Sequence, residues 1–215
     1  PGFGLTGPAA DGRYDMAAYT HFVTSLLDKL NLKQVTMAGN SFGGYVAWKM
    51  AVDHPERVSK LILVDAGGYS YKAQSVPIAF KLAQIPELKP LLANLLPRSV
   101  IESSVRNVYG DPSKITPELI DRYYELTLRA GNRAALTARF SQSKGGEFED
   151  QIKSIRQPTL IIWGGNDHLI PPDNADRFQH DIAGSRLAMF DKLGHVPHEE
   201  DAVATVAAVI PFLAQ

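Results

Sequence analysis

A serine flanked by glycines is the first feature of this chain that could do chemistry. Ser41 is the centre of Gly-Asn-Ser-Phe-Gly, residues 39–43, between the apolar run QVTMA and a second apolar run, GGYVAWKMA. At a strand-to-helix turn, the pattern G-x-S-x-G presents a serine hydroxyl at the carboxyl edge of a sheet. A glycine-rich turn with a capping serine is the structural alternative. The context on both sides favours Ser41 as a nucleophile.

The glycines around Ser41 have a steric explanation. In so sharp a turn the positions two before and two after the serine come nearly into contact, so a Cβ at Gly39 or at Gly43 would clash. Gly44 would allow the new helix to lie close to the sheet. These three glycines are therefore predicted to set the geometry of the turn.

A serine hydroxyl is a weak nucleophile at neutral pH and requires a base. The segment KLGHVPHEE places His195 and His198 just after the last candidate strand, and Gly194 permits a sharp exit from that strand. We predict His195 as the base, with His198 as the alternative. Of the remaining histidines, His168 directly follows an acid, and three fit surface or packing roles: His21, His54 and His180.

The base must in turn be oriented by an acid. Asp167 closes LIIWGGND at the carboxyl end of a strong candidate strand, after the serine and before the histidine. The resulting order Ser, Asp, His matches that of α/β-hydrolase triads. Asp65 closes LILVD and is the rival, because it too follows a strand. A structural loop role for Asp167 is the third possibility.

Two kinds of apolar segment alternate along the chain. KLILV at 60–64 and TLIIW at 159–163 are short and continuous, with weaker candidates in QVTMAG and RLAMF, as in strands buried on both faces. Residues with helical spacing lie between them: Ala18, Phe22, Leu26, Leu27 and Leu30, then Tyr45, Val46, Met50 and Ala51. The alternation predicts an α/β fold with a mostly parallel sheet and helices on both faces.

The alternation stops between about Gly68 and Ile155. IPELKPLLANLLPRSV and TPELIDRYYELTLRAG have helical patterns, with Thr116 as a cap and Pro117 in the first turn. We predict hydrolase-type core over 1–68, a helical cap or lid over 69–155, and core again over 156–215. A helical subdomain without a gating role is the alternative.

Composition excludes several classes of function. The net charge is -1 with 22 basic and 23 acidic side chains, and no block of like charge could follow a nucleic-acid backbone. There are no cysteines, so neither a disulfide nor a thiolate site is expected. No apolar run is long enough to span a membrane. Scattered acids and no helical histidine pair predict no metal site, and no cofactor is expected.

Four blocks together resemble the α/β-hydrolase superfamily. They are Pro1-Gly2-Phe3-Gly4, GNSFGG, PTLIIWGGNDHLIP and LGHVPHEE, in that order and across nearly the whole chain. The Asn-Ser-Phe-Gly-Gly turn and the helical insertion look like serine carboxylesterases. They look equally like the hydrolases that cleave carbon-carbon bonds in ring-fission products of aromatic compounds. Ser41 argues against haloalkane dehalogenases and epoxide hydrolases, which have aspartate at this position.

The resemblance implies acyl transfer to water. His195 would deprotonate Ser41, Asp167 would orient the imidazole, and the backbone N–H of Phe42 would be one oxyanion donor. The main expectation is hydrolysis of a carboxylic ester of a small to medium apolar substrate. Carbon-carbon bond hydrolysis is the alternative, as are an acyltransferase and a non-catalytic ligand-binding module.

The resemblance also concerns the start of the chain. In similar proteins several strands and a histidine-glycine loop with the second oxyanion donor precede the Pro1-Gly2-Phe3-Gly4 segment. We therefore expect this sequence to be the carboxyl-terminal part of a longer hydrolase, with N-terminal strands missing. The sequence does not determine the cellular compartment, although the cytoplasm is favoured. A homo-oligomer is compatible with the sequence.

Overall fold

The computed structural model describes residues 1–88, 91 and 95–215. The helix predicted from IPELKPLLANLLPRSV covers residues 85–100, and five of these, 89–90 and 92–94, lie outside the described residues. Around them the chain forms a 3-10 turn at Pro86–Leu88 and, further on, a helix at Arg98–Val108.

Four strands form one parallel sheet in the order in which they occur along the chain. They are β1 (Val35–Asn40), β2 (Val58–Val64), β3 (Thr159–Gly164) and β4 (Arg186–Phe190). The ladder joins Asn40 to Val64 and Gly164 to Phe190, so the strands end close together. This confirms the predicted α/β fold with a parallel sheet.

Alternate residues of the central strands separate the core into two layers, because successive side chains of a strand point to opposite faces. Leu61, Leu63, Ile161 and Trp163 belong to the larger cluster, and Ile62, Val64, Leu160 and Ile162 to the smaller one. The first face is covered by α1 (Met16–Lys29), α2 (Phe42–Asp53) and α7 (Asp173–Asp181), and the second by α9 (Ala202–Leu213).

Helix α1 buries only part of the predicted face. Leu27 belongs to the core as predicted, whereas Phe22, Leu26 and Leu30 are exposed and Met16 and Tyr19 are buried. At the start of α2 the rings of Tyr19 and Phe42 meet edge to face with centroids 4.8 Å apart, which holds Tyr19 in the core. The prediction for α2 is confirmed, since residues 44–51 are all buried.

Helices fill the chain between β2 and β3. They are α3 (Ile78–Ala83), α4 (Arg98–Val108), α5 (Pro117–Thr127) and α6 (Asn132–Gln142), and the described residues of this interval contain no strand. As predicted, the Thr116 side chain caps α5 by accepting from the N–H of Leu119. A short helix α8 (Pro197–Glu200) precedes α9. In the described part of the chain, none of the helices is long and apolar enough to cross a bilayer.

Candidate active site

Ser41 lies in the turn that joins β1 to α2, in a backbone conformation that serine rarely adopts. Its φ is 55° and its ψ is -118°. The turn is held from both sides: the Ser41 N–H donates to the Val64 carbonyl at 3.0 Å, and the Ser41 carbonyl accepts from the N–H of Gly67 at 2.9 Å. Such strain persists only where the surroundings fix it, and it is typical of functional turns.

The three glycines of the turn do not have the same role. A Cβ on Gly39 would overlap the Gly43 carbonyl and lie 2.6 Å from the Gly44 nitrogen. A Cβ on Gly44 would lie 2.5 Å from the Cβ of Ala66, just after β2, which explains the close approach of α2 to the sheet. The prediction for Gly43 is wrong, because no described atom lies within 4 Å of a Cβ placed there. Gly43 is exposed, and its own position on the outer side of the turn leaves that space open.

Helix α2 begins with free backbone donors beside Ser41. Its first backbone bond runs from the Tyr45 N–H to the Ser41 carbonyl at 3.1 Å. The N–H groups of residues 42–44 therefore have no partner within the helix, as in the first turn of any α-helix. This arrangement suits an anion, because the partial positive charge of the helix lies at the same end. The Phe42 N–H, expected as an oxyanion donor, is one of these groups.

The structure brings His195 and Asp167 together in the buried space beyond the strand ends. His195 Nδ1 lies 2.7 Å from Asp167 Oδ2, and both residues are buried. Because a carboxylate only accepts hydrogen bonds, Nδ1 carries the proton of the neutral ring and Nε2 is its basic nitrogen. Asp167 Oδ1 accepts from the N–H groups of Leu169 and Ile170 at 2.8 and 3.0 Å. Asp167 is thus fixed as an acceptor for the imidazole.

Asn40 connects the serine turn to the histidine loop. Its side-chain Nδ2 donates to the carbonyl of Val64 at 3.1 Å and to the carbonyl of His195 at 2.9 Å. The residue directly before Ser41 therefore holds the backbone of His195. A polar residue at the end of an apolar strand is a signal for such a contact, but the chain order does not show that Asn40 meets His195.

The histidine loop is also fixed to the helical region that precedes β3. The His195 N–H donates to the Val108 carbonyl at 2.8 Å. Glu200, a buried carboxylate, accepts from the N–H groups of Gly194, Gly110 and Asp111. Glu200 could not be identified from the sequence, because nothing in the chain order indicates that residues 110 and 194 meet.

The alternative residues from the sequence lie elsewhere in this arrangement. His198 is exposed on α8, and in the described residues it forms no hydrogen bond with Asp167. Asp65 is fully buried and accepts from the Gly164 N–H at 2.9 Å. The imidazole of His195 hydrogen-bonds to Asp167 and not to Asp65.

Asp65, Asp167 and His195 are close enough in principle to hold a cation, with one ligand atom of each within 4.8 Å of the others. The hydrogen bonds already present favour proton sharing instead. Asp167 accepts from two backbone N–H groups and from the imidazole, so each of its oxygens already accepts at least one hydrogen bond. No cofactor-binding residue is identified among the described residues.

The amino-acid sequence of residues 1–202 matches a model of the α/β hydrolase fold family. The chain belongs to this family. A 2-hydroxy-6-oxononadienedioate/2-hydroxy-6-oxononatrienedioate hydrolase of a Pseudomonas species is 32% identical to it over all of this chain and 75% of the relative. A 2-hydroxymuconate semialdehyde hydrolase of Pseudomonas putida is 30% identical over all of this chain and 74% of the relative.

Solved structures agree on the α/β-hydrolase fold. A meta-cleavage product hydrolase from Pseudomonas fluorescens superposes with a TM-score of 0.82 at 21% identity, covering 99% of this chain and 76% of the other. A thermophilic esterase from Thermogutta terrifontis gives 0.76 at 22% identity, covering 97% and 73%. At such identities these two likenesses concern the fold alone.

An arginine from the helical region lies next to the turn that carries Ser41. The guanidinium of Arg139 on α6 is 4.3 Å from the ring centroid of Phe42 and 4.4 Å from that of Phe140. Its Nε is buried without a hydrogen-bond partner in the described part of the chain. The two tyrosines near it, Tyr19 and Tyr71, are neutral at pH 7, and burial raises the pKa of each further, to about 12. Arg139 thus places a positive charge next to the turn without a carboxylate partner among the described residues.

The unequal glycines of the turn give a matched pair of variants. Gly39→Ala should destabilise the protein by about 2 kcal/mol or more, because the new methyl group overlaps backbone that cannot move independently. Gly43→Ala should leave stability unchanged or raise it by up to about 1 kcal/mol, since alanine is the better helix residue. Urea unfolding of both variants measures this. Equal destabilisation by the two substitutions would contradict the steric assignment.

Proposed function

We propose that this chain carries the catalytic groups of a serine hydrolase that cleaves a carbon-carbon bond in an acidic, conjugated ring-fission product. The observation that carries the proposal is the strained turn of Ser41, which Asn40 joins to the backbone of His195, together with the buried hydrogen bond between His195 and Asp167. The substrate class is supported by the two curated relatives, which are hydrolases of oxo-dienoate or semialdehyde compounds. The three residues are given the roles of nucleophile, base and orienting acid.

The reaction proceeds through an acyl-enzyme. His195 Nε2 takes the proton of Ser41 as the hydroxyl oxygen adds to the ketone carbon of the substrate. The carbon-carbon bond breaks in the keto tautomer of the substrate, in which the hydroxyl proton has moved to the carbon next to the reacting ketone and made that carbon tetrahedral. The electron pair of the bond can then pass into the remaining conjugated chain as an enolate, whose oxygen takes a proton from the imidazolium. Water, activated by the same imidazole, releases the acid from Ser41. Across the two steps one water molecule is consumed, with OH added to the acyl carbon and H to the leaving carbon.

The negative oxygen of each tetrahedral intermediate requires donors. The Phe42 N–H lies at the start of α2, where the residues of the first turn have no helical partner. A fixed donor of this kind contributes roughly 3 to 4 kcal/mol to stabilisation of the transition state. We assign Phe42 this role, as the sequence analysis expected.

Arg139 favours an anionic substrate over a neutral ester. Its charge lies beside Phe42 and is not balanced by a carboxylate of the described residues. A substrate carboxylate would supply the missing partner, and a charged hydrogen bond in a partly buried position is among the stronger contacts available. No side chain gives comparable support to the expected carboxylesterase activity. The similarity to the thermophilic esterase shows only that the two proteins share a fold. Ester hydrolysis is therefore retained as a secondary activity of the same triad.

Ser41→Ala should lower turnover by about four to six orders of magnitude, and His195→Ala by a similar factor, because the triad acts as a unit. Asp167→Asn should be somewhat milder. His198→Ala is the matched control and should retain most of the rate, since this histidine is exposed and does not contact Asp167. Single-turnover kinetics and labelling by an organophosphonate measure these effects. Labelling of a serine other than Ser41 would refute the assignment.

The pH dependence follows from the role of His195 as a base. Activity should fall on the acidic side as the imidazole is protonated, because only the neutral ring can accept the proton of Ser41. A kcat/KM profile between pH 4 and 9 tests this. A rate that stays constant down to pH 4 would be incompatible with a histidine base.

Arg139→Met removes the charge while keeping an apolar side chain against Phe42. It should raise KM for a 2-hydroxy-6-oxo-dienoate by about tenfold or more, in line with the loss of a hydrogen bond to a charged group. The hydrolysis of neutral nitrophenyl esters of increasing chain length should change little. Arg139→Lys keeps the charge and is the control. A parallel loss on acid and ester substrates would mean that Arg139 acts on packing and not on substrate charge.

A further inference from the structure

Asp65, the residue that follows β2, is a buried carboxyl group that the proposed mechanism does not use. It is fully buried, and its φ of 42° lies in the left-handed region that few side chains other than glycine adopt. Its backbone N–H donates to the Ile162 carbonyl at 3.0 Å. Because such a conformation is costly for a residue other than glycine, its presence at the sheet edge suggests that the Asp65 side chain is functional.

The two oxygens of Asp65 have unequal surroundings. Oδ1 accepts from the Gly164 N–H at 2.9 Å, whereas Oδ2 is buried and has no donor among the described residues. The titratable groups that face the carboxyl are Asp167 after β3, His195 after β4 and Glu200 on α8. A buried oxygen with no donor and two carboxylates nearby is costly as an anion.

Protonation of Asp65 removes the cost of burying its negative charge next to two other carboxylates. Burial raises the pKa of Asp65 well above its usual range, and repulsion from Asp167 raises it further. With a proton on Oδ2 the group becomes a donor, and Asp167 is within reach of a side-chain hydrogen bond. One negative charge is then shared by two carboxyl groups, as in other buried pairs of acids.

Asp167 has room for this additional donor. A carboxylate offers about four acceptor positions. The N–H groups of Leu169 and Ile170 and the imidazole of His195 occupy three of them. A hydrogen from Asp65 would complete the set and restrict rotation of the Asp167 carboxylate.

We propose that Asp65 is a positioning residue of the triad, a neutral carboxylic acid that donates a hydrogen bond from Oδ2 to Asp167 and so holds Asp167 towards His195. The inference rests on the proposed function for its catalytic consequence. The protonation of Asp65 itself is a property of the folded protein and can be measured without a substrate.

The decisive comparison is between Asp65→Asn and Asp65→Leu. The amide of asparagine still donates to Asp167 and still accepts from the Gly164 N–H, so kcat/KM should stay within about threefold and the acidic limb of the pH profile should not move. Leucine has a similar size and no donor. It should lower kcat by about tenfold, with little change in KM, and shift the acidic limb to higher pH, because the less neutralised Asp167 carboxylate stabilises the imidazolium more strongly.

An ionised Asp65 predicts the opposite result for asparagine. Removing a negative charge close to the imidazole would then destabilise the imidazolium and move the acidic limb to lower pH, which would overturn the proposal. An unchanged rate and limb in Asp65→Leu would overturn it as well. Circular dichroism shows whether the leucine variant is folded. If it is not, the asparagine variant and the spectroscopic measurement below decide the question.

Infrared difference spectroscopy gives a readout that does not depend on turnover. Ser41→Ala protein at pH 7 should show the carbonyl band of a protonated carboxylic acid, and the band should be absent from Ser41→Ala/Asp65→Asn. Absence of the band in Ser41→Ala overturns the protonation of Asp65. Full activity of Ser41→Ala would instead refute the proposed function and leave the spectroscopic result valid, so the two failures are distinguishable.

Discussion

The parallel arrangement of four strands is the constraint on which the proposed site depends. Because β1 to β4 pair in chain order, the residues that follow each strand meet at one edge of the sheet. Ser41 follows β1, Asp65 follows β2, and Asp167 and His195 lie beyond β3 and β4. The edge is also where backbone groups lose their ladder partners, so side chains such as Asn40 and Asp65 can bind to them. A sheet with antiparallel strands would divide the same residues between two edges.

Much of the fold and of the site could be predicted from local sequence. Three residues with reactive or titratable side chains each follow an apolar strand: Ser41, Asp167 and His195. Both the residue types and their positions in the chain therefore placed them at the carboxyl edge of the sheet. The steric reason for Gly39 could also be predicted, because a strand-to-helix turn is a local structure. Gly43 shows the limit of that argument, since the direction of its missing side chain depends on the exact path of the turn.

The unpredicted features are contacts between distant segments. Asn40 binds the backbone of His195, and Glu200 binds the backbone of Gly110. Helix α1 offers two overlapping apolar faces, and the contact of Tyr19 with Phe42 belongs to the one that is buried. Arg139 lies over Phe42 with a buried Nε that has no partner among the described residues, and the sequence does not show which side chains surround it. Each of these depends on which surfaces meet, and the periodicity of a single segment does not contain that information.

The close contact of Gly110 with Gly194 links the helical region to the loop that carries His195. A Cβ on Gly110 would lie 2.6 Å from the backbone nitrogen of Gly194, and one on Gly194 would lie 2.5 Å from the Val108 carbonyl. The Glu200 carboxylate joins the same two segments, because it accepts hydrogen bonds from the N–H groups of both Gly110 and Gly194. A chimaera that exchanges the helical region between two relatives must therefore transfer residues 108–111 together with residues 193–200. The helical region and the histidine loop are, in this sense, inherited as one unit, although more than eighty residues separate the two segments in the chain.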